Sequence, residues 1–95
     1  MDIPRIRFKL GQLVITPGAL EALRESGEGP WVFLVRHVAG DWGNLDAEDK
    51  QRNDQALEDG SRILSAYHTA NGVKLYVITE AEPLSSTCIL LPDEY

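Results

Sequence analysis

With Cys88 as its only cysteine, this chain of 95 residues can form no internal disulfide and no cysteine-built zinc site. The neighbours Thr87, Ile89, Leu90 and Leu91 predict that the thiol is buried and inert. Long apolar runs are missing too. None approaches the roughly 20 residues of a membrane span, and the opening Met1-Asp2-Ile3-Pro4-Arg5 carries charge where a secretory segment would be apolar. A cytoplasmic protein is therefore expected. Basic residues are few: nine Lys and Arg stand against 15 Asp and Glu, a net charge of −6, which argues against unaided approach to a nucleic-acid backbone. A glycine-rich phosphate loop, a His-x-x-x-His pair and a Gly-x-Ser-x-Gly elbow are all absent. No metal and no cofactor is expected.

What is present is enough for one modest core. Hydrophobic residues make up 43% and charged residues 25%, which excludes a disordered tail and, at this length, a second domain. The expected fold class is α+β, a single domain over residues 1–95 with N-terminal strands, three short helices and a C-terminal three-stranded antiparallel meander.

Arg5, Arg7 and Lys9 alternate with Ile6, Phe8 and Leu10, a period of two that predicts a half-buried strand with a basic outer face. Gly11-Gln12 interrupts it, and Leu13-Val14-Ile15 continues as a strand. Thr16-Pro17 starts a helix: Thr caps the free amides and Pro sits where its missing N–H is harmless. Gly27 and Gly29-Pro30 close it. Trp31 to Val38 reads as a second helix, because Trp31, Leu34, Val35 and Val38 recur at helical spacing and Gly40 stops it, although Trp31 to Val35 would also suit a strand. Asp46 caps a third helix that runs to Asp59 and ends at Gly60. Its inner stripe contains Asp49 and Asn53 beside Ala56 and Leu57. Two polar groups on that stripe need partners, and the Gly40 to Gly43 loop is the expected one. Arg62 to Tyr67 and Val73 to Thr79 flank Asn71-Gly72, a strong hairpin signal, and Ser86 to Leu91 supplies the third strand.

Two groups of residues could carry function. From Asp41 to Asp59 seven carboxylates face two cations, a net of −5 out of the chain's −6. Such a segment favours a basic partner surface. The other group is centred on Arg36-His37-Val38-Ala39-Gly40-Asp41-Trp42-Gly43, where an apolar run ends in a Trp held between glycines. His37 is either a general acid or base or a ligand of a backbone carbonyl. Asp41 would orient its imidazole, and Trp42 would either stack on a flat ligand or plug the core. Ser65, Thr79 and Thr87 are hydroxyls set in apolar strands, Arg62 opens the same hairpin, and a shared face with His37 would let them hold an oxyanion. His68, at the hairpin, is expected in solvent.

The run Phe8-Lys9-Leu10-Gly11-Gln12-Leu13-Val14 with Thr16-Pro17-Gly18-Ala19-Leu20, the His37 to Gly43 segment, Arg62-Ile63-Leu64-Ser65 with Tyr67, Val77-Ile78-Thr79-Glu80 and Leu90-Leu91-Pro92 with Tyr95 resemble a small bacterial family labelled plasmid-related protein. The resemblance spans nearly the whole chain and implies a setting of plasmids, phages and integrated mobile elements. Members of that family carry a second hydroxyl beside Thr87, where this chain has Cys88. At the level of fold, helices followed by an antiparallel meander resemble barnase-like and RelE-like ribonucleases, which implies His37, Arg62, Ser65 and Thr79 as catalytic residues. Two functions are expected on these grounds. One is an acidic accessory protein of a mobile element that modulates a host or defence factor by binding a host or element-encoded protein with a basic surface, through Asp41, Trp42, Glu48, Asp54 and Glu58. The alternative is a small ribonuclease-like enzyme or toxin centred on His37.

Overall fold

The computed structural model describes residues 6–83 and 86–95. The chain forms a mixed α+β domain: β1 (Gln12–Ile15), α1 (Pro17–Ser26), α2 (Trp31–Val38), α3 (Ala47–Asp59), β2 (Ile63–His68), β3 (Lys74–Thr79), β4 (Ser86–Leu90) and a closing 3-10 turn, Pro92–Glu94. The sheet order is β1-β4-β3-β2. β2, β3 and β4 make the expected antiparallel meander, and β1 adds to it in parallel beside β4.

The helices begin and end where local chemistry dictates. Thr16 accepts the Ala19 N–H at 3.3 Å, Asp46 accepts the Asp49 N–H at 2.8 Å, and Gly27 and Gly60 end α1 and α3 in the left-handed region that only glycine enters freely. α1 is further fixed from the far end of the chain. The Glu94 carboxylate takes the Thr16 hydroxyl at 2.6 Å, the Gly18 N–H at 3.2 Å and the Leu91 N–H at 2.9 Å.

The first strand differs from expectation. Residues 6–11 form no strand, and the ladder starts only at Gln12, after Gly11 turns the chain at φ +66°. Upstream, the backbone is drawn elsewhere: the Arg7 N–H donates to the Val38 carbonyl at 2.8 Å, and the Leu10 carbonyl accepts the Thr87 hydroxyl at 2.7 Å. Phe8 and Leu10 are half-buried while Arg7 and Lys9 are exposed, so the period of two reported an extended chain rather than a paired one. Arg5 lies outside the described residues. The hairpin also uses its glycine differently: Gly72 alone takes a positive φ, at the end of a turn opened by Thr69, where a two-residue Asn-Gly turn would need Asn71 there too.

The strand register sorts side chains onto two faces. Ser65, Tyr67, Leu75, Val77, Thr79, Thr87 and Ile89 share one. α1 and α2 cover it with Ala19, Ala22, Leu23, Phe33 and Leu34 to make the main core, each large aliphatic or aromatic side chain stabilising the fold by roughly 1.5–3 kcal/mol. α3 does something else. It lies against β2, the strand at one edge, and Asn53 acts there as a neighbouring strand would: its amide donates to the Leu64 carbonyl at 2.7 Å and accepts the Leu64 N–H at 3.2 Å. The loop before α3 continues this edge pairing, since the Ala66 N–H donates to Trp42 O at 3.1 Å and the Asn44 N–H to Ala66 O at 2.6 Å. Among the described residues, β1, at the opposite edge, has a strand on one side only.

The expectation that Asp49 and Asn53 bond the Gly40 to Gly43 loop is therefore corrected. Asn53 is buried on β2, and Asp49 turns to Arg52 at 3.7 Å. Asn53→Ala should cost about 2–3 kcal/mol, because it removes both hydrogen bonds from half-buried Leu64 and the packing of buried Asn53 itself, whereas Asp49→Ala should cost under about 1 kcal/mol. Urea unfolding of both variants checks this, and equal costs would contradict the edge-sealing role.

Candidate functional site

α2 carries His37 into the sheet face with no exposed surface at all. Its Nδ1 lies 2.6 Å from the Ser65 hydroxyl and its Nε2 2.9 Å from the Thr79 hydroxyl. Thr79 is 2.7 Å from the Thr87 hydroxyl, which donates to the Leu10 carbonyl. That terminal carbonyl sets the direction of the whole chain. A carbonyl can only accept, so Thr87 spends its proton there and must accept from Thr79. Thr79 in turn must accept from His37, and the imidazole is the neutral Nε2–H tautomer whose bare Nδ1 accepts from Ser65. No buried side-chain nitrogen or oxygen among the described residues lacks a partner. Phe8, edge-on with its centroid 5.0 Å away, and Trp42, at 6.0 Å, pack against the ring. Burial lowers the His37 pKa from 6.5 to about 3.

Trp42 is buried and helps form a second small core with Ala56 and Ile63. Its indole N–H donates to the Asp54 carboxylate at 3.0 Å. Asp41 does not orient His37. It pairs with Arg36 at 2.7 Å and accepts the Gly43 N–H at 3.2 Å, and its carboxyl is held below the ordinary range first by the Arg36 hydrogen bond. The Asp41 backbone carbonyl takes the Tyr67 hydroxyl at 2.6 Å, and burial pushes that phenol up to about 12. Arg62 does not join His37 either, because its guanidinium stacks over Tyr95 at 5.5 Å. His68 is exposed, 3.1 Å from Asn44. Cys88 is half-buried rather than buried, and its thiol pKa is raised first by desolvation.

The structure thus joins His37, Ser65, Thr79 and Thr87 and leaves Arg62 and Asp41 outside. A general acid or base must reach a proton of its substrate, and His37 is sealed beneath Phe8 and Trp42. The cavity that reaches Thr79 measures about 50 Å³, far below the roughly 300 Å³ of a small ligand pocket. Among the described residues no group of three or more His, Cys, Asp or Glu side chains could hold a metal ion, and no helix is long and apolar enough to cross a membrane.

The surfaces offered outward are different. On α3, Glu48, Asp54 and Glu58 are exposed, Glu48 pairing with Arg52 at 3.1 Å. Along α2 and residues 6–11 runs an apolar groove of about 840 Å³. Sequence reasoning missed this groove, although the apolar residues on every side of α2 signalled it. Neither a family model, a curated protein nor a solved structure matches this chain.

Proposed function

We propose that the protein is a small acidic binding protein, working through the carboxylates of α3 on a basic surface of a host or element-encoded protein. The observation that carries this reading is how α3 is held. Asn53 bonds to Leu64 and Asp54 to Trp42, so the helix is anchored along one side while Glu48, Asp54 and Glu58 remain in solvent. A rigidly presented set of like charges steers and orients an oppositely charged partner. The sealing of His37 supports the same choice over a ribonuclease-like reaction. A setting among plasmids and other mobile elements, and a role in modulating a host or defence factor, rest on the family resemblance alone; a cytoplasmic location belongs to the same proposal but not to that resemblance.

The test uses Glu48→Lys with Glu58→Lys, which spares Asp54 and its hold on Trp42. Glu48→Lys gives up the Arg52 pair and a favourable first-turn charge, about 0.5–1 kcal/mol, so the double variant should stay folded and melt within several degrees of the wild type. Capture of partner from a lysate of the native host should be lost with the variant and should weaken with salt for the wild type. Unchanged capture at low salt would reject the acidic contact.

A further inference from the structure

α2 is apolar almost all the way round, with Trp31, Val32, Phe33, Leu34, Val35 and Val38 in eight residues. Phe33 and Leu34 pack into the main core and Val38 is buried, yet Trp31, Val32 and Val35 remain 61%, 49% and 42% exposed. A helix with apolar residues on every side is ordinarily covered on every side. Beside it, Ile6 and Phe8 form the second wall of the groove, opposite Trp31, Leu34, Val35 and Val38. Of these, Trp31 and Val35, one helical turn apart, stand exposed, while buried Leu34 and Val38 lie beneath them, so the outward stripe presents the i, i+4 spacing with which one helix meets another.

Charge defines the occupant further. Arg7 and Lys9 line the groove and are exposed, and among the described residues neither has an ion-pair partner. This is a local positive edge on a chain of net charge −6. A second copy docked face to face about a two-fold axis would gather the Arg7 and Lys9 cations of both chains in one interface, which like-charge repulsion opposes.

We propose that the groove receives an amphipathic helix from another protein, its apolar stripe laid on Trp31 and Val35 and its acidic flank facing Arg7 and Lys9. This gives the molecule a second contact surface, opposite in sign to α3 and independent of it. Trp31 is the anchor, since a large exposed aromatic at the head of a groove is the residue type on which binding energy concentrates.

The probe is a designed peptide of about 14 residues, long enough to form a helix on binding, with leucines at i, i+3, i+4 and i+7 flanked by glutamates, and a counterpart flanked by lysines. Titration into the isotope-labelled protein should shift the amide signals of Ile6, Trp31 and Val35, with the glutamate peptide binding at least about tenfold tighter than the lysine peptide. Arg7→Glu with Lys9→Glu should reverse that preference. Val35→Asp should abolish binding while the circular dichroism spectrum and melting temperature stay close to wild type, and Val32→Asp, outside the groove lining, serves as a second exposed substitution that should leave binding intact. Equal affinity for the two peptides, no binding, or shifts elsewhere would overturn the proposal. So would a dimer, seen by sedimentation, that Val35→Asp dissociates, because the occupant would then be a second copy. Neither groove variant touches Glu48 or Glu58, so failure here and failure of the α3 contact are read from different proteins.

Discussion

Gly43→Ala is expected to be the most damaging single-methyl change in the chain, costing at least about 4 kcal/mol out of the 5–15 kcal/mol that small domains possess. Gly43 sits at φ +74°, where an added Cβ would overlap the Ala66 carbonyl oxygen and lie 2.6 Å from Cδ1 of Tyr67. The strained backbone alone accounts for roughly 1–2 kcal/mol. The remainder comes from displacing the loop, because the neighbouring residues Trp42 and Asn44 make the paired bonds to Ala66 and Trp42 fills the second core. Gly72→Ala is the control: φ is +83° there, but an added Cβ meets nothing within 4 Å, so only the backbone cost of roughly 1–2 kcal/mol should appear. Thermal and urea unfolding of the two variants decides the matter. Similar losses at both positions would mean that Gly43 is needed for its φ and not for the close approach to β2.

Acid should destabilise the fold over a window set by His37. The imidazole pKa is about 3 in the folded protein against roughly 6.5 in the unfolded chain. Between those values the unfolded state holds a proton that the folded state refuses, so stability is complete above pH 6.5 and falls with pH by about 1.4 kcal/mol per unit. By pH 4.5 the loss should reach about 3 kcal/mol, enough to unfold a marginal variant. Asp41 and Glu94 act lower down. Hydrogen bonds from Arg36 and Thr16, respectively, hold their carboxyls below the ordinary range, so their contribution is present above the unfolded value of about 4 and is lost only beneath it. His37→Gln, which keeps a donor and an acceptor but cannot titrate, should flatten the slope between pH 4.5 and 6.5. A wild-type slope that survives in His37→Gln would assign the acid sensitivity to other groups.

Much of this architecture was legible in local signals. Thr16-Pro17, Asp46 and the glycines at 27 and 60 locate helix ends through hydrogen-bonding geometry that needs no tertiary partner. α2 was correctly told from a strand by the spacing of Trp31, Leu34, Val35 and Val38. What failed was the pairing of the N-terminal segment and of single side chains, while the antiparallel meander of β2, β3 and β4 was legible. Alternation at residues 6–10 is a property of any extended segment lying on a core, and only the bonds of Arg7 and Leu10 to Val38 and Thr87 show that no neighbouring strand is involved. Asn53 was recognisably out of place in a helix, yet its partner is fixed by where α3 lands on β2. The meeting of His37 with Ser65 and Thr79 followed from a shared sheet face. Arg62 and Asp41 were misjudged because each found a nearer partner, Tyr95 and Arg36, that sequence spacing does not reveal.

The different treatment of the two sheet edges limits how the molecule can grow. At β2 the outward peptide groups of Leu64 and Ala66 are already taken by Asn53, Trp42 and Asn44, so no incoming strand finds a template there. β1 is the one edge left with an unoccupied side among the described strands. Polymerisation by strand addition needs two live ends on every unit, one to receive and one to extend. This sheet has one, so addition of a second copy through β1 would consume the live end of both and terminate at two, and a fibril of intact molecules has no way to propagate. Opening that route would require freeing Leu64 from Asn53 and Ala66 from Trp42 and Asn44 together, which makes Asn53 and the loop before α3 chain terminators as well as fasteners.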